Sequence, residues 1–235
     1  MASEADLTPA ESSAGQELDL DTQRETYRSA GYVLLKDLFP PSVLQAFRSR
    51  IQQDLNFHGS RSFVRGNSLL TKPAIEVYSL EYAPMATFLW GLTPRVSQVA
   101  GLEVIPSYAY FRIYQQGDVC RVHSDRQACE HSLSLTVELG DNIPWELSME
   151  KRHLDEPLAA IDPDFGEQPF TTIPMNAGDA VMYRGVNHRH GRLEPNPNSW
   201  SAHMFLHWVD PNGPYADHAF DRANIGAARR SGQIP

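Results

Sequence analysis

Two periodicities divide the chain. In the first hundred or so residues the apolar positions recur at helical spacing. Leu44, Phe47, Ile51 and Leu55 form one stripe, with Arg48, Arg50, Gln52 and Gln53 off it, the pattern of an amphipathic helix laid on a sheet. Phe39-Pro40-Pro41 precedes the stripe, and proline is well tolerated in a first helical turn. Upstream, a short helix from Gln23 to Ala30 is expected to end at Gly31, where a left-handed cap costs little. Tyr32-Val33-Leu34-Leu35 then reads as a strand. Pro84 opens another helix, with Met85, Phe88, Leu89 and Leu92 on one face, and Pro94 to Ala100 is expected to form a separate one closed by Gly101. Between these helical segments, residues 56–83 hold Gly59, Gly66 and scattered polar residues. They read as a long loop, of the kind that often covers an active site.

After Pro106 the period becomes two. Ala109, Phe111 and Ile113 take one face, and Tyr108, Tyr110, Arg112 and Tyr114 the other. His131 to Leu139 repeats the alternation, with Leu133, Leu135, Val137 and Leu139 against Ser132, Ser134, Thr136 and Glu138. Further strands are predicted at Trp145–Met149, Phe170–Ile173, Ala180–Arg184, His188–Leu193 and Trp200–Val209. Residues 150–167 read as an insertion loop, and the chain from Asp210 on as irregular. Short strands separated by turn signals, with helices confined to the first half, predict a mainly β fold. The expected architecture is a double-stranded β-helix (jelly roll) with supporting N-terminal helices. A plain sandwich without a site is the simpler rival, but it would not want so many polar groups on inner faces.

Composition narrows this picture. The 17 Pro, 15 Gly and 10% aromatic residues suit a loop-rich β protein. Residues 1–21 carry Glu4, Glu11, Glu17, Asp6, Asp19 and Asp21 with no base, and read as a disordered acidic tail. Residues 22–235 are then a single jelly-roll domain. A net charge of −9 opposes general binding to nucleic acid or to anionic membranes. The two cysteines, Cys120 and Cys129, are too few for a disulfide framework. No apolar run reaches membrane-spanning length, and the N-terminal stretch lacks the features of a signal peptide. A cytoplasmic protein with reduced thiols is the expectation.

Candidate chemistry lies between Tyr114 and Asp125. The stretch ends in His123-Ser124-Asp125, where an imidazole and a carboxylate at i and i+2 share one side of an extended strand and can take adjacent positions on a metal. Asn187-His188-Arg189-His190-Gly191-Arg192 offers a third ligand. Two His and one carboxylate with open positions make the facial triad of non-haem Fe(II) sites. His188 and His190 share a face of an extended strand, so alternation does not separate them. The plain alternative is a pair of hydrogen-bonded core histidines beside a surface aspartate. Cys120, His123, Cys129 and His131 have the composition of a zinc site. They crowd around one predicted turn, however, where structural zinc uses well-separated ligand pairs. Both cysteines read better as small apolar fillers.

The spacing Tyr114-X2-Gly117-X5-His123-X-Asp125 and the run Gly178-Asp179-Ala180-Val181-Met182-Tyr183 set these residues in a wider context. The chain resembles the Fe(II)/2-oxoglutarate-dependent dioxygenases, in their prolyl-hydroxylase-like branch. Pro106–Tyr114, His123–Glu130, Tyr183-Arg184-Gly185-X4-His190-Gly191-Arg192 and Phe205–Val209 carry the likeness, which spans roughly residues 23 to 210. It implies Fe(II), O2 and 2-oxoglutarate as cosubstrate, with His123, Asp125 and His190 as iron ligands. The Tyr-X-Gly-X4-His spacing favours His190 over His188. Asp125 argues against halogenation, and cyclisation or desaturation stay open beside hydroxylation. The implied substrate is a small molecule, an amino acid or a peptide side chain, with Arg61, Arg65, Lys72 and Arg126 near the mouth for an anionic one. The distal carboxylate of 2-oxoglutarate needs a cation, ideally the fork of an arginine. The strand after the second histidine, where many relatives carry it, has no Arg or Lys between Trp200 and Val209. Arg192 takes the role in expectation, since i+2 from His190 faces the same lumen. Arg112 and Arg126 are alternatives, and Ser201, His203 and Tyr114 are further donors. The rival from another class is a cupin-like jelly roll that binds a metal or small ligand without catalysis.

Overall fold

The alternation that begins at Ile105 resolves into eight strands that pass between two sheets as the chain proceeds. The computed structural model describes residues 11–57 and 63–221. The eight are β4 (Ile105–Gln115), β5 (Cys120–His123), β6 (His131–Leu139), β7 (Leu147–Glu150), β8 (Phe170–Ile173), β9 (Ala180–Tyr183), β10 (His190–Arg192) and β11 (Trp200–Val209). Three earlier strands, β1 (Tyr32–Leu35), β2 (Val64–Arg65) and β3 (Ala74–Tyr78), extend one sheet at its edges. The larger sheet runs β1-β9-β6-β11-β4-β3-β2 and the smaller β5-β10-β7-β8. This is the double-sheet jelly roll. β6, β8 and β11 begin and end where the alternation places them.

The period-two pattern sorts side chains between two environments. Ala109, Phe111, Leu133, Leu135, Val137, Met204, Leu206 and Trp208 leave the outer face of the larger sheet. They pack with Tyr27 of α1 (Glu11–Ala30), Leu44 and Ile51 of α2 (Pro41–Leu55), and Leu89 and Val96 of α3 (Met85–Ala100). Each Val, Leu, Ile, Phe or Met side chain among them, fully removed from water, stabilises the fold by about 1.5–3 kcal/mol. The opposite face turns polar residues inward: Arg112 and Tyr114 from β4, Ser132, Ser134 and Thr136 from β6, Ser201, His203 and His207 from β11. All of these are buried. The helices supply one wall of the core, and the lumen is left for chemistry.

Three stretches differ from the sequence reading. α1 begins at Glu11, within the stretch read as a disordered tail, while residues 1–10 lie outside the described ones. Leu20 packs on the core, Gln23 bonds Asp19, and Arg24 pairs with Asp21. β2 and β3 lie within the loop expected over 56–83. β3 is short, and its pairing with β4 sets Glu76 opposite Arg112, a cross-strand ion pair invisible to local pattern. α3 runs through Pro94 instead of breaking there. Proline removes the bond to the carbonyl of Trp90, which lies on the exposed side of the helix. The buried stripe Leu89, Leu92, Val96 and Val99 passes the site uninterrupted, and Gly101 caps the end at φ 74°.

His131 shows the cost of a titratable group on the dry side. Its Nδ1 meets the Tyr27 hydroxyl at 2.7 Å. Burial, and after it the Arg184 charge, pushes its pKa down from 6.5 to about 4. Between those values the unfolded chain binds the extra proton, so stability rises with pH. Acidification across that window is expected to remove up to about 3 kcal/mol through this residue. Urea titrations at several pH values should show the acid limb flattened in His131→Gln; an unchanged slope would assign the effect to other groups.

Candidate metal centre

β5 ends at His123, which pairs directly with His190 at the start of β10. Asp125 lies two residues beyond, its N–H donating to the Gly185 carbonyl at 2.9 Å. One ligand atom from each of His123, Asp125 and His190 lies within 4.8 Å of the others. His123 Nε2 is 3.7 Å from Asp125 Oδ1, and His190 Nε2 is 3.6 Å from Oδ2. The far side of each ring is fixed. His123 Nδ1 bonds the Arg121 carbonyl at 2.8 Å and His190 Nδ1 the His188 carbonyl at 3.0 Å. A carbonyl only accepts, so Nδ1 carries the proton and Nε2 presents its lone pair to the cluster. That is how supporting groups orient histidine toward a metal.

Electrostatics agree with this role. Burial, reinforced by His190, pushes His123 down to about 4, so the imidazole is neutral at physiological pH. Burial alone would raise Asp125, but His190, His123 and His207 hold it below the usual carboxylate value, so it is ionised. Two imidazole nitrogens and one carboxylate oxygen are donors that could hold a divalent transition metal.

Gly185 makes room for it. A Cβ there would stand 2.2 Å from Asp125 Oδ2 and 2.8 Å from both the Cys129 carbonyl and Ser132 Oγ. Gly185→Ala is expected to displace the carboxylate and weaken metal binding by roughly 10- to 100-fold while the fold persists. Co2+ titration beside circular dichroism tests this, and unchanged affinity would remove Asp125 from the donor set.

His188 is not in the cluster. Its ring bonds the Glu150 carbonyl through Nδ1 at 3.0 Å, stands edge-on to Tyr32, and faces a separate recess with His153 and Arg184. β10 starts only at His190, so His188 sits in the preceding turn, where strand alternation does not apply.

Arg192 lies deeper in the lumen, 1% exposed. Its guanidinium stacks over Trp145 at 4.7 Å and donates to the Trp145 carbonyl at 2.6 Å and to His203 Nδ1 at 3.3 Å. No carboxylate among the described residues contacts it, and burial lowers its pKa. Since His203 Nδ1 accepts from Arg192, its Nε2 carries a proton, and that donor has no partner. Ser201, and Thr136 directly across from His203, also hold buried hydroxyls without partners. A buried cation ringed by orphaned donors is a cradle for a small anion. Arg112 and Arg126 differ from it in having partners: Arg112 pairs with Glu76 at 2.7 Å and donates to the Tyr114 hydroxyl at 3.0 Å, and Arg126 pairs with Asp221 at 3.0 Å.

A cavity of about 640 Å³ opens above the cluster, lined by Tyr78, Tyr108, Tyr110 and Arg126 with His123 and Asp125. Residues 157–161 of the expected insertion loop form one side. Arg65 instead pairs with Glu81, and Lys72 donates to the Gln116 carbonyl; Arg61 lies outside the described residues. Sequence reasoning did not single out Tyr78, Glu76 or His207. The inward alternation of β11 was the signal available for His207; Tyr78 and Glu76 come in only through β3.

No protein-family model matches the sequence, and no curated protein resembles it significantly. Solved structures do resemble the fold. The non-haem α-ketoglutarate-dependent carbocyclase SnoK from nogalamycin biosynthesis superposes with a TM-score of 0.61 at 14% identity, covering 80% of this chain and 83% of that one. A prolyl-4-hydroxylase from Pseudomonas putida gives 0.54 at 14%, covering 80% and 98%. EctD from S. alaskensis, solved with bound Fe, gives 0.56 at 13%, covering 80% and 76%. Strand order and neighbours agree: the chain has the jelly-roll fold of the non-haem iron, 2-oxoglutarate-dependent oxygenases.

Proposed function

We propose that this protein is an Fe(II)- and 2-oxoglutarate-dependent dioxygenase that hydroxylates an unactivated C–H bond of a small molecule, amino acid or peptide side chain, releasing succinate and CO2. One observation carries the reading. A His123–Asp125–His190 cluster at the lumen mouth and an arginine without a carboxylate partner deeper in the same lumen are the two anchors that such a cosubstrate needs.

Bound iron, with 2-oxoglutarate and O2, would supply the oxidising chemistry that no side chain provides. The chain's own part is positional. His123, Asp125 and His190 would hold the metal on one face, their outer nitrogens kept in place by the Arg121 and His188 carbonyls. Arg192, with donors from His203 and Ser201 and a further one from Tyr114, would hold the distal carboxylate in a water-poor lumen. There a charge-assisted bond is stronger than in water. Tyr78, Tyr108 and Tyr110 would form the wall against which the substrate rests. A cytoplasmic setting suits the reading, as both cysteines are free.

The test is anaerobic absorption of the protein with Fe(II), before and after 2-oxoglutarate, followed by succinate measurement in air. A visible charge-transfer band and succinate formation dependent on 2-oxoglutarate are expected. Metal uptake without either result would make the protein a cupin-like binding jelly roll instead.

A further inference from the structure

A second group of ligand-bearing residues adjoins the first. One ligand atom from each of Asp125, Cys129 and His207 lies within 4.8 Å of the others. Ser132 Oγ lies 2.8 Å from His207 Nδ1, 3.3 Å from Asp125 Oδ2 and 3.1 Å from the Cys129 carbonyl; the last two only accept, so the hydroxyl serves them and His207 together when it donates to one of them and accepts from His207 Nδ1. With the proton on Nδ1, Nε2 keeps a lone pair, buried and without a partner among the described residues. A bare acceptor in a dry interior calls for a donor or a cation. Cys129 is 1% exposed and free, its Sγ 3.2 Å from the Tyr108 hydroxyl. It borders the cavity that also reaches His123 and Asp125.

We propose that Asp125, Cys129 and His207 form a second, softer metal site for a thiophilic divalent ion such as Zn2+, sharing Asp125 with the His123–Asp125–His190 cluster. Sulfur, imidazole nitrogen and one carboxylate oxygen favour such an ion, whereas two imidazoles and a carboxylate suit Fe(II). Binding replaces the Cys129 S–H bond by a sulfur–metal bond and releases one proton to solvent, with no change of oxidation state. Because both sites draw on one carboxylate, an ion in the soft site weakens binding in the other, and the coupling is reciprocal. That linkage rests on the proposed function; the soft site itself does not.

Co2+ is the probe, used anaerobically on the full chain, with His190→Ala to disable the first cluster. A near-ultraviolet thiolate-to-Co2+ band is expected in wild type and in His190→Ala, lost in Cys129→Ser and displaced by Zn2+. Zn2+ affinity should fall by more than about 100-fold in Cys129→Ser, beyond what loss of a merely supporting partner does. Metal-free thermal unfolding of that variant checks that it is folded. A folded wild type without the band, or a band that survives Cys129→Ser, overturns the site. The Fe(II)/2-oxoglutarate spectrum is read separately, so failure of one assignment leaves the other standing.

Discussion

His190→Ala is expected to abolish both the anaerobic Fe(II)/2-oxoglutarate band and succinate formation, while the protein stays folded. The residue pairs with His123 across β5 and β10 and points Nε2 at Asp125. Its removal leaves one imidazole and one carboxylate, too few to hold the metal on one face. The structural cost is the bond to the His188 carbonyl, about 1–3 kcal/mol if that acceptor stays buried and unpaired. His123→Ala should behave alike. His188→Ala should keep the band, because that ring is engaged with the Glu150 carbonyl in another recess. A band that survives His190→Ala but not His188→Ala would falsify the assignment of the third ligand.

Arg192→Met has the second largest expected effect, and it acts in opposite directions on binding and on stability. With the guanidinium gone, the distal carboxylate would be buried without a countercharge, a loss of about 3–5 kcal/mol. That corresponds to roughly 10²- to 10⁴-fold weaker 2-oxoglutarate binding. Arg192→Lys keeps the charge but not the planar fork, so an intermediate loss is expected. The ligand-free protein should meanwhile unfold at a higher temperature in Arg192→Met, because an uncompensated buried cation is replaced by an apolar chain of similar length. Calorimetric titration with 2-oxoglutarate and thermal unfolding without it read the two effects. Equal affinity in wild type and Arg192→Met would sink the anchor, and attention would pass to Arg112 and Arg126.

The choice among these three arginines shows where sequence reading stops. All three are plausible lumen or mouth residues from alternation alone. What separates them is their company: Glu76 lies across from Arg112 on a strand too short to read, and Asp221 reaches Arg126 from the far end of the chain. Only Arg192 is left without a carboxylate. Cys129, taken as an apolar filler, gains a different meaning because His207 from β11 and Asp125 meet it in space.

Local periodicity by itself determined the fold class, most strand positions, the dry and polar faces of β4 and β6, and the His123-X-Asp125 pair. Those features depend on the two-residue repeat of a strand and on which face loses water, both written along the chain. The tertiary structure decided that α3 continues through Pro94, that β3 joins the sheet, that His190 and not His188 faces Asp125, and that Arg192 keeps its charge unpaired. Each of these depends on groups distant in sequence, because a proline is tolerated, an edge paired or a charge neutralised only by whatever the fold sets beside it.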